Sequence, residues 1–110
     1  MAATKDDAAL MVQLLALGAQ MDLQDAMHHV MQESFDPDQV DPSDQAVSTV
    51  LGFGETVGTF VKQGLLDAGL VHDLLWIHGM WSKVGPAALK IRDKAGEPRL
   101  YETFEALAKG

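Results

Sequence analysis

Four histidines, one carboxylate inside an apolar segment and two tryptophans are the residues of this 110-residue chain whose types could carry chemistry. Asp25, His29 and Glu33 recur at i, i+4 and i+8, so a helix would align them on one face. Two such ligands four apart can hold zinc or nickel when a third group arrives. The sequence fixes no third group, and the same spacing suits an exposed polar face with i, i+4 pairing. No metal site is assigned. His72 and His78 are six apart, which puts them on different faces of one helix. His72 precedes Asp73 at the expected surface, and His78 lies between Trp76 and Trp81 on the apolar side. Trp76, His78 and Trp81 would line a ligand pocket if the fold has one; their helical spacing equally suits core packing.

Glu55 sits mid-helix between Gly54 and Thr56, where an unpaired buried carboxylate is costly. Arg92, on a later helix, is its candidate partner. The pair reads either as acid–base machinery or as a charge-assisted contact that fixes how two helices dock. With no nucleophile or second catalytic carboxylate identifiable, the structural role is favoured. The chain has no cysteine, which excludes thiol catalysis, disulfides and thiolate metal sites. It contains no G-x-S-x-G, H-E-x-x-H or phosphate-binding glycine loop. No catalytic residue and no cofactor is assigned.

The elements that must position these groups are helical throughout. The first helix is predicted over residues 4–34, capped by Thr4 with Asp6 and Asp7 at the positive end of its dipole. Leu10, Leu14, Leu17 and Met21 mark its stripe; Gly18 and Asp22 weaken its middle, so a break there is an alternative. Residues 35–42 hold two prolines and three aspartates and form a connector. Ser43 is expected to cap a second helix that runs to Gln63, with Gly64 as its stop. Gly54 and Gly58 lie one turn apart on it, which fits either the close approach of another helix or a local kink. Asp67 caps a third helix over residues 68–94, with a kink expected near Pro86. Gly96 ends it, and Pro98 suits the first turn of a last short helix with Leu100, Phe104 and Leu107. The expected fold is an all-α, compact antiparallel bundle of about four helices in one domain covering residues 1–110, with Gly54, Gly58 and Trp81 at helix contacts.

The composition narrows the function classes. Net charge is −8, and residues 1–41 alone carry Lys5 against eight acids. A phosphate-binding surface needs the opposite sign, so nucleic acid is excluded as a partner. The acidic face either meets a basic partner or keeps a small protein solvated. The most apolar run, residues 8–21, is shorter than the ~20 residues that span a bilayer, and no secretory leader is read. A cytoplasmic protein without membrane insertion is expected. Apolar residues make up 47%, more than a small domain buries alone, so self-association as a dimer is expected. Met21, Met27 and Met31, on the acidic first helix, are the candidate docking residues for a protein partner.

One joint pattern carries a resemblance. Glu55 in an apolar helix is followed by Gly64-Leu65-Leu66-Asp67 and then Trp81. Arg92, Leu100-Tyr101 and Phe104-Glu105-x-Leu107-Ala108 come after. The pattern resembles an uncharacterised bacterial family of small helical domains of unknown function and covers about residues 46–108. Where relatives often have Asn-Phe-Tyr-Glu, this chain has Leu51-Gly52-Phe53-Gly54-Glu55. The resemblance implies an all-helical fold and no known catalytic residue, substrate or cofactor. Taken together, the leading expectation is a non-enzymatic helical interaction protein that self-associates and docks a protein partner. The alternatives are a small-molecule or metal-binding bundle, and an acidic inhibitor or immunity-type protein.

Overall fold

The apolar residues of the central segment spread over a face wider than the ~100° stripe of a surface helix, so one neighbour cannot cover them. In the computed structural model, which describes residues 3–110, this segment is helix α3 (Gln45–Lys62), counting helices in chain order. Val47, Val50, Leu51, Phe53 and Val57 are completely buried on it. Helices α2 (Leu23–Val30), α5 (Ile77–Ala95) and α6 (Glu102–Lys109) share the task of covering them, with α2 and α6 making the most extensive contacts. Asp44 caps α3, its carboxylate accepting from the Ala46 and Val47 N–H groups at 2.9 and 3.1 Å. Ser43 does not cap it. Its N–H and hydroxyl are both taken by the Asp41 carboxylate, at 2.9 and 2.8 Å, in the turn before the helix.

The described residues are all-helical, but six helices stand where about four were expected, because two of the expected ones divide. The first divides at Met21–Asp22 into α1 (Lys5–Gln20) and α2. Asp22 takes a left-handed conformation (φ 58°), which a short polar side chain tolerates better than most. Gly18 permits the fold-back: a Cβ there would lie 3.1 Å from the Leu23 side chain and 3.2 Å from the Phe53 ring. Thr4 and Asp7 begin α1 with a reciprocal capping box.

The third expected helix divides into α4 (Ala68–Leu74) and α5. The chain turns at Trp76 (φ −82°, ψ 69°), where the Ile77 N–H donates to the Leu75 carbonyl at 2.9 Å. This is an inverse γ-turn, which needs neither glycine nor proline. Trp76 then folds over Gly79, where a Cβ would come within 2.2 Å of the indole. The chain breaks ten residues before Pro86, and α5 stays helical through Pro86 itself. Gly85, having no Cβ, removes part of the clash that a proline imposes on the residue before it. Asp67 caps α4 by accepting from the Leu70 N–H. Gly64 and Gly96 end α3 and α5 in left-handed conformations. Pro98 lies in the turn before α6, not in its first turn.

The closest helix contact uses the α3 glycines. A Cβ on Gly54 would lie 2.4 Å from the Phe104 ring, and one on Gly58 would lie 2.6 Å from the Thr103 backbone. Gly52 is different, with only the Met21 Cε at 4.0 Å. Alanine is the better helix former by about 1 kcal/mol, and overpacking costs about 1–3 kcal/mol. Gly52→Ala is therefore expected to raise the urea midpoint. Gly54→Ala and Gly58→Ala are expected to lower it, Gly58→Ala without relief because backbone cannot rotate away. Three shifts of the same sign would contradict this packing.

Candidate functional site

Helix α6 begins without a cap of its own. Its N-cap residue, Tyr101, is left-handed (φ 60°) and makes no side-chain capping bond. The first N–H groups of a helix have no partner within it; that of Glu102 donates to the Arg99 carbonyl at 3.1 Å, while Thr103 and Phe104 are buried. Glu55 supplies the acceptor: the Phe104 N–H donates to its Oε1 at 3.0 Å. Phe104 is the third residue of α6, the position that a capping side chain ordinarily serves. Here the cap reaches across from another helix, with its negative charge at the positive end of the α6 dipole. The Glu55 carbonyl accepts from the Thr59 hydroxyl at 2.8 Å and from the Thr103 hydroxyl at 3.1 Å. The two hydroxyls lie 3.2 Å apart. Glu55 thus ties α6 to α3 through both its side chain and its backbone.

Arg92 does not meet Glu55. It turns to Glu105, Nη1 to Oε1 at 3.0 Å, and its Nε donates to the Leu100 carbonyl at 2.6 Å. It therefore secures α5 to the turn before α6 and to α6 itself. Trp81, half-buried on α5, meets Phe104 edge-on with ring centroids 5.1 Å apart. Gly54, Gly58, Glu55, Trp81 and Arg92 all converge on α6, although the two charged residues hold it by separate contacts.

Beside the α3–α6 seam lies a cleft of about 510 Å³. Val61 and Gly58 of α3, Ala68 and His72 of α4, and Thr103, Ala106 and Leu107 of α6 form its mostly apolar walls. Lys62 and Glu102 stand at its edge 3.6 Å apart, and Arg99 meets the same carboxylate at 2.9 Å. His72 is half-buried here. His78 stacks on it, with centroids 5.1 Å apart and 24° between planes. Expected on different faces of one helix, the two imidazoles meet because the turn at Trp76 reorients α5 relative to α4. None of the cleft's small wall residues marks it in the sequence, since the cleft closes only when the distant α6 packs beside α3 and α4.

The other expected positions fall elsewhere. Trp76 is 67% exposed and His78 is exposed. The indole of Trp76 lies on Gly79 and that of Trp81 on Gly85. Met21, Met27 and Met31 are half-buried against the core, not a free apolar stripe. Glu33 lies beyond the end of α2, which separates it from the helical face of Asp25 and His29. His29 instead faces Asp44, Nε2 to Oδ2 at 3.6 Å. Among the described residues no cluster of three metal-ligating side chains forms.

Four carboxyls are held below their ordinary pKa. For Glu105 the causes are Lys109 and then Arg92, for Glu102 Arg99, for Asp41 Ser43. For Asp7 they are Thr4 and then the Asp67 N–H, which donates to it at 3.1 Å and joins α4 to α1. A carboxyl with a depressed folded pKa stabilises the fold above its unfolded value, 4.5 for Glu105, and loses that stabilisation as pH falls through the folded value. Glu105→Gln should therefore lower the urea midpoint at neutral pH, and the difference from the parent should shrink below about pH 4. A difference independent of pH would contradict the charged contact. Glu55→Ala strands the Phe104 N–H and is expected to cost about 1–2 kcal/mol. Glu55→Gln, which keeps an acceptor oxygen, should cost less. Equal stability of all three proteins in urea denaturation would rule out the cap.

The comparisons with known proteins bear on the whole of this arrangement. No curated protein and no solved structure matches the chain. A family model described as a domain of unknown function, DUF4760, matches residues 3–110, and so takes in every helix from the capping box of α1 to the end of α6. The chain is a member of the DUF4760 family.

Proposed function

We propose that this protein is a non-enzymatic interaction domain that self-associates and docks an apolar side chain of a partner protein in the cleft between α3, α4 and α6. The carrying observation is the cleft itself: about 510 Å³, apolar inside, with Lys62 and Glu102 at its edge. An anchor side chain seated in an apolar pocket and rimmed by polar groups is how protein interfaces concentrate their binding energy. Of the polar residues that line it, Glu102 is paired with Lys62 and Arg99, and the Thr103 hydroxyl donates to the Glu55 carbonyl; the carboxylates of the neighbouring helix contacts also have structural work. Glu55 caps α6, and Glu105 holds Arg92 and Lys109. The docking surface proposed here lies away from Met21, Met27 and Met31, which are half-buried against the core. No helix among the described residues is long and apolar enough to cross a membrane.

A second reading draws on the same volume, which falls within the roughly 300–1,000 Å³ of small-molecule sites: an apolar small ligand fills the cleft. Ala106 separates both readings from the rest of the surface, since it lines the cleft and is exposed on α6. Ala106→Arg should keep the helical circular dichroism of the parent and lose the bound partner in affinity capture from the native host. A mass excess on the parent in native mass spectrometry, absent from Ala106→Arg and removed by denaturation, would replace the protein partner with a small ligand. Identical captured proteins and the same excess over the chain mass for parent and variant would refute the cleft as the site.

A further inference from the structure

Helix α1 carries two apolar seams, and the fold uses one of them. Met11, Leu14 and Gly18 face the core. One residue on, Ala8, Val12, Leu15 and Ala19 repeat the 4-3-4 spacing of a coiled-coil seam, and all four are exposed, Val12 at 66% and Leu15 at 40%. The fourteen residues from Ala8 to Met21 contain no charged side chain, the longest such run in a chain of net charge −8. Here two copies can meet without like charges opposing each other.

The pattern along the exposed seam also says what covers it. Between Lys5, the first residue of α1, and Asp22, in the left-handed turn just past its end, the seam reads Ala, Val, Leu, Ala. Reversed, the seam matches itself in size, with Ala8 opposite Ala19 and Val12 opposite Leu15, and its flanks complement each other in charge, with Lys5 at one end and Asp22 at the other. Such self-complementarity is what an isologous two-fold interface requires. Lys5 and Asp22 are both exposed, and neither has an ion-pair partner among the described residues. Asp22 makes no side-chain capping bond at the start of α2. Small residues near the ends and large ones in the middle let two helices approach along the whole seam, with an ion pair closing each end.

We infer that two copies of this chain pair through α1 in antiparallel, two-fold fashion, with the axis level with Gln13–Leu14 and Lys5 of each copy against Asp22 of the other. The inference rests on the self-association proposed above and assigns it a surface and a register.

The test is the solution mass of the parent, of Val12→Glu, of Leu15→Lys, and of an equimolar mixture of the two variants, by sedimentation equilibrium at tens of micromolar. Both positions are exposed, and unchanged helical circular dichroism verifies the fold. The parent is expected at twice the 11.9 kDa chain mass. Each variant alone should dimerise at least about tenfold more weakly. The mixture should recover the dimer, because the antiparallel register sets the introduced carboxylate of one variant against the introduced ammonium of the other. A parent that is monomeric at these concentrations overturns the inference and self-association together, and leaves the seam to a different protein. A dimeric parent whose variants dimerise equally well overturns this surface alone. Weakened variants that the mixture does not rescue overturn the antiparallel register.

Discussion

The carboxylate of Glu55 accepts a hydrogen bond from the first turn of another helix, and the position of α6 depends on that contact. A helix of eight residues forms poorly on its own, since nucleation is unfavourable and few bonds follow it. α6 opens on a left-handed tyrosine with no local cap. It is held because α3 offers three things at once: an acceptor for the Phe104 N–H, a flat glycine face that admits the Phe104 ring and the Thr103 backbone, and a carbonyl that receives the Thr103 hydroxyl. Each feature requires the others. The glycines bring the helices close enough for the carboxylate to reach, and the cap makes the close approach tolerable by satisfying a buried donor. Arg92 and Trp81 then fasten α5 to the same short helix.

The cleft is a consequence of where the chain departs from helix. α4 is only seven residues long and ends at the γ-turn of Trp76. A continuous helix over residues 68–94 would have carried His72 and His78 along a single rod. The turn sets α4 at an angle of its own, tied to α1 through the Asp67 N–H and the Asp7 carboxylate. Its Ala68 and His72 thereby form one wall of a hollow whose other walls are α3 and α6. The volume that is proposed to bind a partner is thus bounded by the α6 contact on one side and by the helix break on the other.

Much of this architecture was legible in residue types. Thr4, Asp67, Gly64 and Gly96 ended or began helices where expected, because caps and left-handed stops act through their own side chains or lack of one. The all-helical class followed from apolar periodicity, and the quoted pattern from Glu55 to Ala108 pointed to the family that the chain proved to belong to. The failures share a cause. The break at Asp22 stood as an alternative, which the packing of Gly18 against Leu23 and the Phe53 ring selects; the turn at Trp76 was missed because it uses residues that also sit comfortably in helices, its indole folding over Gly79. Ser43 looked like a cap until Asp41 claimed it, with Asp44 one position later doing the work. Glu55 was visible as a charge in need of a partner, and Arg92 was the charged side chain available. Its actual partner is a backbone N–H, which carries no signature in the sequence because every residue except proline has one.

A short helix anchored from outside its own sequence makes a sharp demand on dynamics. If the Glu55 cap and the glycine seam hold α6, its first turn cannot fray independently of α3. Native-state hydrogen exchange of the Phe104 amide reads this directly. The expected result is an opening free energy for that amide matching those of the buried α3 amides at Val50, Leu51 and Val57, so that it exchanges only with global unfolding. Exchange of the Phe104 amide by a separate, low-energy opening while the α3 amides stay protected would contradict it.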